Sequence, residues 1–147
     1  MALLQISEPG MSTAPHQHKL AVGIDLGTTN SLVASVRSGV AETLADEHAR
    51  TLLPSVVHYA QDQAPLVGAD AVPYQVTDPD NTISSIKRVL GRALTDIQEQ
   101  DHWYEFEQNN DSVPRIKTVK GALSAVEISA DILTALKTRA EQTLGDQ

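Results

Sequence analysis

A strand that ends in a carboxylate and a glycine turn constrains this chain more than any other part of its sequence. The segment from Leu20 to Ser31 reads LAVGIDLGTTNS. Its apolar residues alternate as in a buried strand, which predicts a strand over Leu20 to Ile24. Asp25 follows where the chain leaves the sheet, so an acidic side chain is expected to meet solvent at the strand's end.

The residues after Asp25 have the composition of a phosphate-binding turn. Gly27 lets the backbone turn tightly and approach a ligand. Three residues follow whose N–H groups and hydroxyls can face phosphate oxygens: Thr28, Thr29 and Asn30. A carboxylate beside a polyphosphate is repulsive unless a cation lies between them. We therefore expect Asp25 to hold Mg²⁺ through water, as this ion prefers.

Gly-Thr-Thr-Asn alone is also compatible with an ordinary hairpin turn, because glycine and asparagine tolerate left-handed conformations. The longer string VGIDLGTTNS resembles the first phosphate motif of the actin-like ATPases, and most closely that of the DnaK-type heat-shock chaperones. It is not a P-loop, since Gly-x-x-x-x-Gly-Lys-Ser/Thr does not occur in the chain. The resemblance implies ATP or ADP with Mg²⁺ as cofactors, bound by Gly27, Thr28, Thr29 and Asn30 beside Asp25.

A second segment, Asn81 to Gly91, reads NTISSIKRVLG and predicts a short helix that Asn81 or the threonine after it caps and Gly91 ends. Lys87 and the arginine after it fall off its apolar face, and by periodicity alone they are solvated cations. In the resembled chaperones, the matching helix brings its lysine to the γ-phosphate and the attacking water. The resemblance therefore implies that Lys87 is catalytic with Asp25, and that both border one open cleft.

The resemblance extends to the branch of this family that serves iron-sulfur cluster assembly. An extension from MALLQISEPG through HQH precedes the first strand, whereas general chaperones of this type begin almost at the strand. Further matches are Arg50 to Tyr59 and Ile128 to Leu133. The resemblance implies a chaperone that binds and hydrolyses ATP in protein folding and iron-sulfur cluster assembly. Its partners would be a J-type cochaperone and the iron-sulfur scaffold protein.

The implied fold class is α/β, a partial actin-like ATPase (ribonuclease H-like) lobe with an α+β insert. The expected parts are a flexible extension over 1–18, the first strands of lobe one with the phosphate loop over 19–51, the insert over 52–128, and a helix over 129–147 that packs back on the lobe. The chain ends where the family continues into another core strand. We therefore expect a fragment that forms half a nucleotide site and is inactive alone.

Periodicity and turn residues predict the remaining elements. Strands are expected over 32–37, 40–44, 56–59 and 66–67, with a hairpin turn at Ser38-Gly39. A short helix near 96–101 should precede a second hairpin that pairs 104–107 with 116–119. Trp103 and Phe106 are interpreted as core of the insert.

The last helix is predicted with Ser129 as its cap, Asp131 in its first turn and Gly145 at its end. Pro73 lies in a segment that is usually a short helix in the family. It argues against that helix, or confines Pro73 to the first turn.

Composition excludes several other classes of protein. The 147 residues contain no cysteine, so disulfides and thiolate metal sites are excluded. A net charge of -8 without a basic run argues against nucleic-acid binding. The apolar Ala2-Leu-Leu patch is neither a signal peptide nor a membrane span, which predicts a cytoplasmic protein without membrane contact. The histidines lack helical ligand spacing with carboxylates and are interpreted as surface or packing residues.

Two alternatives to the chaperone function remain open. One is a fragment of a glycerol-kinase-type small-molecule kinase, a related fold whose loop also reads Asp-x-Gly-Thr-Thr. Asn30 and the Ile86-Lys87-Arg88 segment favour the chaperone, because the sugar kinases lack a lysine helix with this spacing. The other is a non-catalytic remnant of a chaperone.

Overall fold

The first described residues of the chain, from 22 on, form an antiparallel sheet. The computed structural model describes residues 21–97, 104–107 and 113–145, so the predicted extension over 1–18 and Trp103 lie outside the described residues. The sheet contains four strands: β1 (Val22–Asp25), β2 (Asn30–Arg37), β3 (Val40–Thr43) and β4 (Leu53–Pro54). All of the others pair with β2 in antiparallel register. The predicted strands and the Ser38-Gly39 turn are confirmed, both turn residues having positive φ.

The segment Asn81 to Gly91, predicted as a helix, begins instead with a strand of a second sheet. β5 (Val56–His58) lies between β6 (Leu66–Val67) and β7 (Thr82–Ser84), and both are antiparallel to it. After β7 the chain makes only a 3-10 turn over Ile86–Arg88. The helix prediction, including its cap at Asn81 or Thr82, is therefore wrong. Pairing with β5 draws the segment into the sheet and overrides its local helical periodicity.

A two-stranded hairpin leads into the last helix. β8 (Arg115–Thr118) pairs with β9 (Gly121–Ser124), a strand that the sequence did not predict. On its other side β8 meets residues 104–107 through an isolated bridge between Phe106 and Ile116. Pairing between these two segments was predicted and is confirmed, whereas residues 108–112 lie outside the described part of the chain.

The last helix, α2 (Ala125–Leu144), packs its apolar face on both larger sheets. Ile128, Ile132 and Leu136 are fully buried there. Ser124 is the N-cap, and it forms a capping box in which Glu127 N–H donates to Ser124 Oγ and Ser124 N–H donates to the Glu127 carboxylate. The helix therefore begins at Ala125, and the prediction of a cap at Ser129 is wrong, because Ser129 lies inside the helix.

Asp131 is also placed differently from the prediction. Glu127 is the acidic residue of the first helical turn, and Asp131 instead accepts a hydrogen bond from the Tyr59 hydroxyl. The helix ends before Gly145 (φ 72°), as predicted.

Short helical turns make up most of the remaining structure. α1 (Tyr74–Thr77) begins directly after Pro73, which is its N-cap residue and so leaves the helical hydrogen bonds intact. The helix predicted near 96–101 is described only as far as a 3-10 turn over Leu94–Asp96 and the residue after it. Within the described residues, no helix combines the length and the apolar character needed to cross a membrane.

Candidate functional site

Asp25 lies at the end of β1, where the sequence predicted it. It is the last residue of the strand, its Cα is paired with that of Leu32, and it is exposed. The chain then turns through four residues before β2 begins at Asn30. Asp25 and the predicted phosphate-binding residues thus belong to one short connection, which we call the phosphate loop (residues 25–30).

Gly27 is required by the shape of this loop. A Cβ atom on residue 27 would lie 2.0 Å from the carbonyl oxygen of Asn30 and 3.2 Å from its carbonyl carbon. Both atoms are backbone, so no side-chain movement can make room. The glycine is therefore needed for the close approach of two backbone segments.

The peptide groups of Gly27 are turned toward the protein. Its N–H donates to Ser31 Oγ at 3.2 Å, and its carbonyl accepts from Ser55 Oγ at 2.9 Å. The two hydroxyls are 2.9 Å apart and both serines are 1% exposed. A further bond of 2.8 Å runs from Ser55 N–H to the Thr29 carbonyl. The loop is thus attached to the chain just before β5.

Ser31 and Ser55 were missed in the sequence. The available signal was their position: each lies among apolar residues of a buried segment, Ser31 beside Leu32 and Ser55 within Leu53 to Val57. A buried hydroxyl needs a hydrogen-bond partner. Such serines close to a glycine turn are therefore candidates for supporting it.

The remaining polar groups of the loop lie on its outer side. Thr28 is half-buried, whereas Thr29 and Asn30 are exposed. In the described part of the chain, the side chains of these three residues make no hydrogen bond with protein atoms. Their hydroxyl and amide groups are therefore available to phosphate oxygens, beside the exposed Asp25 carboxylate.

Lys87 lies in another element, the 3-10 turn Ile86–Arg88. The turn is held by Ile86 and Val89, which are 2% and 3% exposed, and Ser85 before it has a left-handed φ of 55°. Lys87 itself is exposed. No hydrogen bond or ion pair among the described residues joins Lys87 to Asp25.

The register of β5 and β7 relates the 3-10 turn Ile86–Arg88, which we call the lysine turn, to the phosphate loop. Ser84, the last residue of β7, pairs with Val56, the first residue of β5. Ser55, which binds Gly27, directly precedes Val56. Because opposed residues of antiparallel strands are about 5 Å apart, the turn with Lys87 leaves the sheet at the same end of β5 at which the loop is attached.

The described histidines agree with the prediction that they are surface or packing residues. His48 is exposed, whereas His58 is 4% exposed, stacks on Tyr74 with ring centroids 3.8 Å apart, and has its Nε2 3.0 Å from Asp78 Oδ2. The hydrogen bonds from His58 and then Asn81 lower the pKa of Asp78. The described residues contain no group of three or more His, Asp or Glu arranged to hold a metal ion.

Comparison with known proteins identifies close relatives. The model of the Hsp70 protein family matches residues 21–147. The chain is 56% identical, over an alignment of 149 positions, to the chaperone protein HscA homolog of Vibrio campbellii, and 58% identical to chaperone protein HscA of Escherichia coli O139:H28. It is 60% identical over 146 residues to HscA of an Enterobacter species. The alignments cover 98–100% of this chain but 24% of each relative.

The kinase alternative is not supported by these comparisons. The family match begins at β1 and includes both the phosphate loop and the turn with Lys87. The chain belongs to the Hsp70 family.

Proposed function

We propose that this chain supplies the first phosphate-binding part of the ATPase unit of an iron-sulfur cluster assembly chaperone. The observation that carries the proposal is the phosphate loop, whose Gly27 peptide groups are hydrogen-bonded to buried serines while Thr29 and Asn30 are exposed. Such a loop presents Thr28, Thr29 and Asn30 to phosphate oxygens without an internal partner to displace.

In this proposal Asp25 contributes to a Mg²⁺ site. Its carboxylate is exposed at the strand's end and can accept hydrogen bonds from water molecules that bind the ion. Bound Mg²⁺ would neutralise charge on the phosphates, and water and phosphate oxygens would complete its coordination. Asp25 acts through a water ligand, so its role is to orient the hydrated ion.

Lys87 would provide the positive charge that stabilises the transition state of phosphoryl transfer. Support comes from the β5–β7 register, because the lysine turn and the phosphate loop both connect to the start of β5. An exposed ammonium that stands beside the phosphates mainly stabilises charge that develops in the reaction. We therefore assign Lys87 to catalysis more than to nucleotide binding.

The chain alone should form only half of this site. It spans 24% of the length of the relatives, and its loop can contact only part of a triphosphate. Val22 and Ile24 on β1 remain 42% and 39% exposed beside an apolar groove against α2. We interpret β1 to β3 and α2 as part of an actin-like lobe and roughly 52–128 as its insert. An incomplete lobe would bind ATP weakly and would not hydrolyse it.

The role in iron-sulfur cluster assembly is proposed from the similarity to HscA proteins. In a protein with that role, a J-type cochaperone and the iron-sulfur scaffold protein would be the partners, and the cytoplasm the location. ATP hydrolysis would change the closure of the ATPase unit and so couple to capture of a client elsewhere in the protein.

The decisive experiment places residues 1–147 in E. coli HscA in exchange for the segment they match, and measures ADP affinity and single-turnover ATP hydrolysis. Lys87→Ala should slow hydrolysis by about 100-fold or more while ADP affinity stays within about threefold. Arg92→Ala, which removes an exposed cation just beyond the same turn, is the matched control and should change neither. Equal loss of binding and turnover in Lys87→Ala would make Lys87 an affinity residue instead.

The same chimera tests Asp25, and the isolated chain tests the half-site. Asp25→Asn should weaken Mg²⁺-dependent nucleotide binding in the chimera. Purified residues 1–147 should show no phosphate release above background and little heat on titration with Mg²⁺-ATP. Micromolar binding with turnover that Asp25→Asn abolishes would show the chain to be an autonomous ATPase and would contradict the half-site proposal.

A further inference from the structure

We propose that Ser31 and Ser55 are positioning residues for the nucleotide phosphates, acting through Gly27. The inference rests on the proposed phosphate-binding role of the loop. The two serines lie 24 positions apart in the chain, yet their hydroxyl oxygens are 2.9 Å apart and both contact the same glycine. Both serines are 1% exposed, so neither hydroxyl is open to a ligand in solvent.

The hydrogen bonds among Gly27, Ser31 and Ser55 form a closed ring, and all of them donate in the same direction around it. Gly27 N–H donates to Ser31 Oγ, and Ser55 Oγ donates to the Gly27 carbonyl. A serine hydroxyl has a single proton. Since the proton of Ser55 is used on Gly27, Ser31 must donate to Ser55 across the 2.9 Å contact. Each hydroxyl therefore donates once and accepts once, an arrangement in which the bonds strengthen one another.

The ring sets the orientation of the loop. It fixes both the N–H and the carbonyl of Gly27 toward the interior, so the following peptide groups are the ones left to face a ligand. The bond from Ser55 N–H to the Thr29 carbonyl fixes the far side of the turn as well. Without the ring, both Gly27 groups could rotate outward, and a carbonyl oxygen directed at the phosphates would repel them.

The ring also connects the loop to the lysine turn. Ser55 directly precedes Val56, whose partner Ser84 ends the strand that leads into Ile86–Arg88. The serines thus hold the loop against the strand pair that carries Lys87. A shift of the loop away from Ser55 would move its phosphate-facing groups relative to the lysine.

Ser35 offers a matched control for this proposal. It lies on the same face of β2 as Ser31, is 4% exposed, and donates to the Ala21 carbonyl at 3.0 Å. Its bond ties down the other end of β1, away from the phosphate loop. Loss of the Ser35 hydroxyl should therefore destabilise the protein much as loss of Ser31 or Ser55 does, without disturbing the loop.

The experiment measures ADP affinity and the urea midpoint for Ser31→Ala, Ser55→Ala and Ser35→Ala in the chimera with E. coli HscA described above. We expect the first two variants to bind ADP about tenfold more weakly, and Ser35→Ala to bind as the parent does despite a similar loss of stability. Ser55→Cys, which keeps a small side chain but is a weak donor, should bind as weakly as Ser55→Ala. It remains a test if the alanine variant does not fold.

The outcomes separate this inference from the proposed function. A parent chimera that neither binds nor hydrolyses nucleotide would overturn both. A parent that is active while Ser31→Ala and Ser55→Cys retain its ADP affinity would overturn the positioning role alone. Equal weakening in Ser35→Ala would likewise overturn it, because the effect would then be one of general stability.

Discussion

The carbonyl oxygen of Asn30 occupies the space that a side chain on residue 27 would need. The separation would be 2.0 Å, well inside any van der Waals contact. The phosphate loop can therefore close only around a glycine, independently of any role that Gly27 has toward a ligand.

Gly27→Ala should consequently destabilise the chain by about 2 kcal/mol or more, because the backbone must open to admit the methyl group. Urea unfolding of residues 1–147 measures this. Gly23→Ala is the matched control: a Cβ at residue 23 would meet nothing within 4 Å and the residue does not have positive φ. That control should be neutral or slightly stabilising. Similar midpoints for the two variants would show that the loop can relax.

Two serines of the last helix give a second prediction. Ser124→Ala removes the hydroxyl that accepts from Glu127 N–H and should cost about 1 kcal/mol of unfolding free energy. Ser129 is 5% exposed and its hydroxyl has no partner within the described residues. Ser129→Ala should therefore be neutral or stabilising, since alanine also favours helix. A larger loss of stability in Ser129→Ala than in Ser124→Ala would indicate that Ser129 is the cap.

The contrast between these serines shows what the sequence could reveal. Ser124 is followed three residues later by Glu127, the pattern of a capping box, so the helix start was readable from local sequence. The prediction of Ser129 instead relied on the acidic residue Asp131 near the expected helix start. That carboxylate instead accepts a hydrogen bond from Tyr59, which lies directly after β5 and far from the helix in sequence.

The secondary structure of the segment before Lys87 could not be predicted from its local sequence. Ile83, Ile86 and Val89 are all buried, as a helical face would require, but a strand followed by a 3-10 turn buries the same three positions. The strand forms because Ile83 pairs with Val57, which lies 26 residues earlier in the chain. The β1–β2 hairpin was predicted well because its pattern and its turn are contiguous in sequence.

The residues that hold the phosphate loop in place likewise could not be predicted from the sequence around it. The turn itself followed from Gly27 and its hydroxyl neighbours. Its attachment depends on Ser55, which is 28 residues from Gly27. Only the tertiary fold brings that hydroxyl to the glycine carbonyl, so the sequence indicated the candidate phosphate-binding residues and not those that hold them.

Asp46 gives a prediction on pH dependence. Burial alone would raise the pKa of its carboxyl, but hydrogen bonds from the Arg50 backbone, the Arg50 side chain and the His48 backbone lower it from 3.8 to about 2. A carboxyl with a lower pKa in the folded chain stabilises the fold above its unfolded pKa. That contribution is lost as the pH falls from about 3.8 to about 2.

Asp46→Asn should therefore be less stable than the parent chain at pH 5, and the difference should shrink as the pH approaches 2. Urea unfolding at several pH values between 5 and 2 measures the free energy of unfolding of both chains. Glu47→Gln is the neighbouring control, because the Glu47 carboxylate is 85% exposed and accepts no backbone hydrogen bond in the described structure. A difference between Asp46→Asn and the parent that stays constant down to pH 2 would assign the effect to packing.

The hydroxyl of Tyr59 provides the last prediction. Tyr59 is 2% exposed, and it donates to Asp131 Oδ2 at 2.6 Å, which joins the end of β5 to α2. Burial and then the Asp131 carboxylate raise the pKa of Tyr59 above its ordinary value, so the hydroxyl keeps its proton and remains the donor at neutral and alkaline pH.

Tyr59→Phe should lower the free energy of unfolding by about 1.5 kcal/mol, the lower end for a hydrogen bond to a charged group, because water can reach the half-buried Asp131. Tyr74→Phe is the control, since the Tyr74 hydroxyl has no hydrogen-bond partner among the described residues and its ring still stacks on His58. That variant should stay within about 0.5 kcal/mol of the parent. Urea midpoints at pH 7 decide the comparison, and equal midpoints for the two variants would mean that the Tyr59–Asp131 bond contributes nothing to joining the strand and the helix.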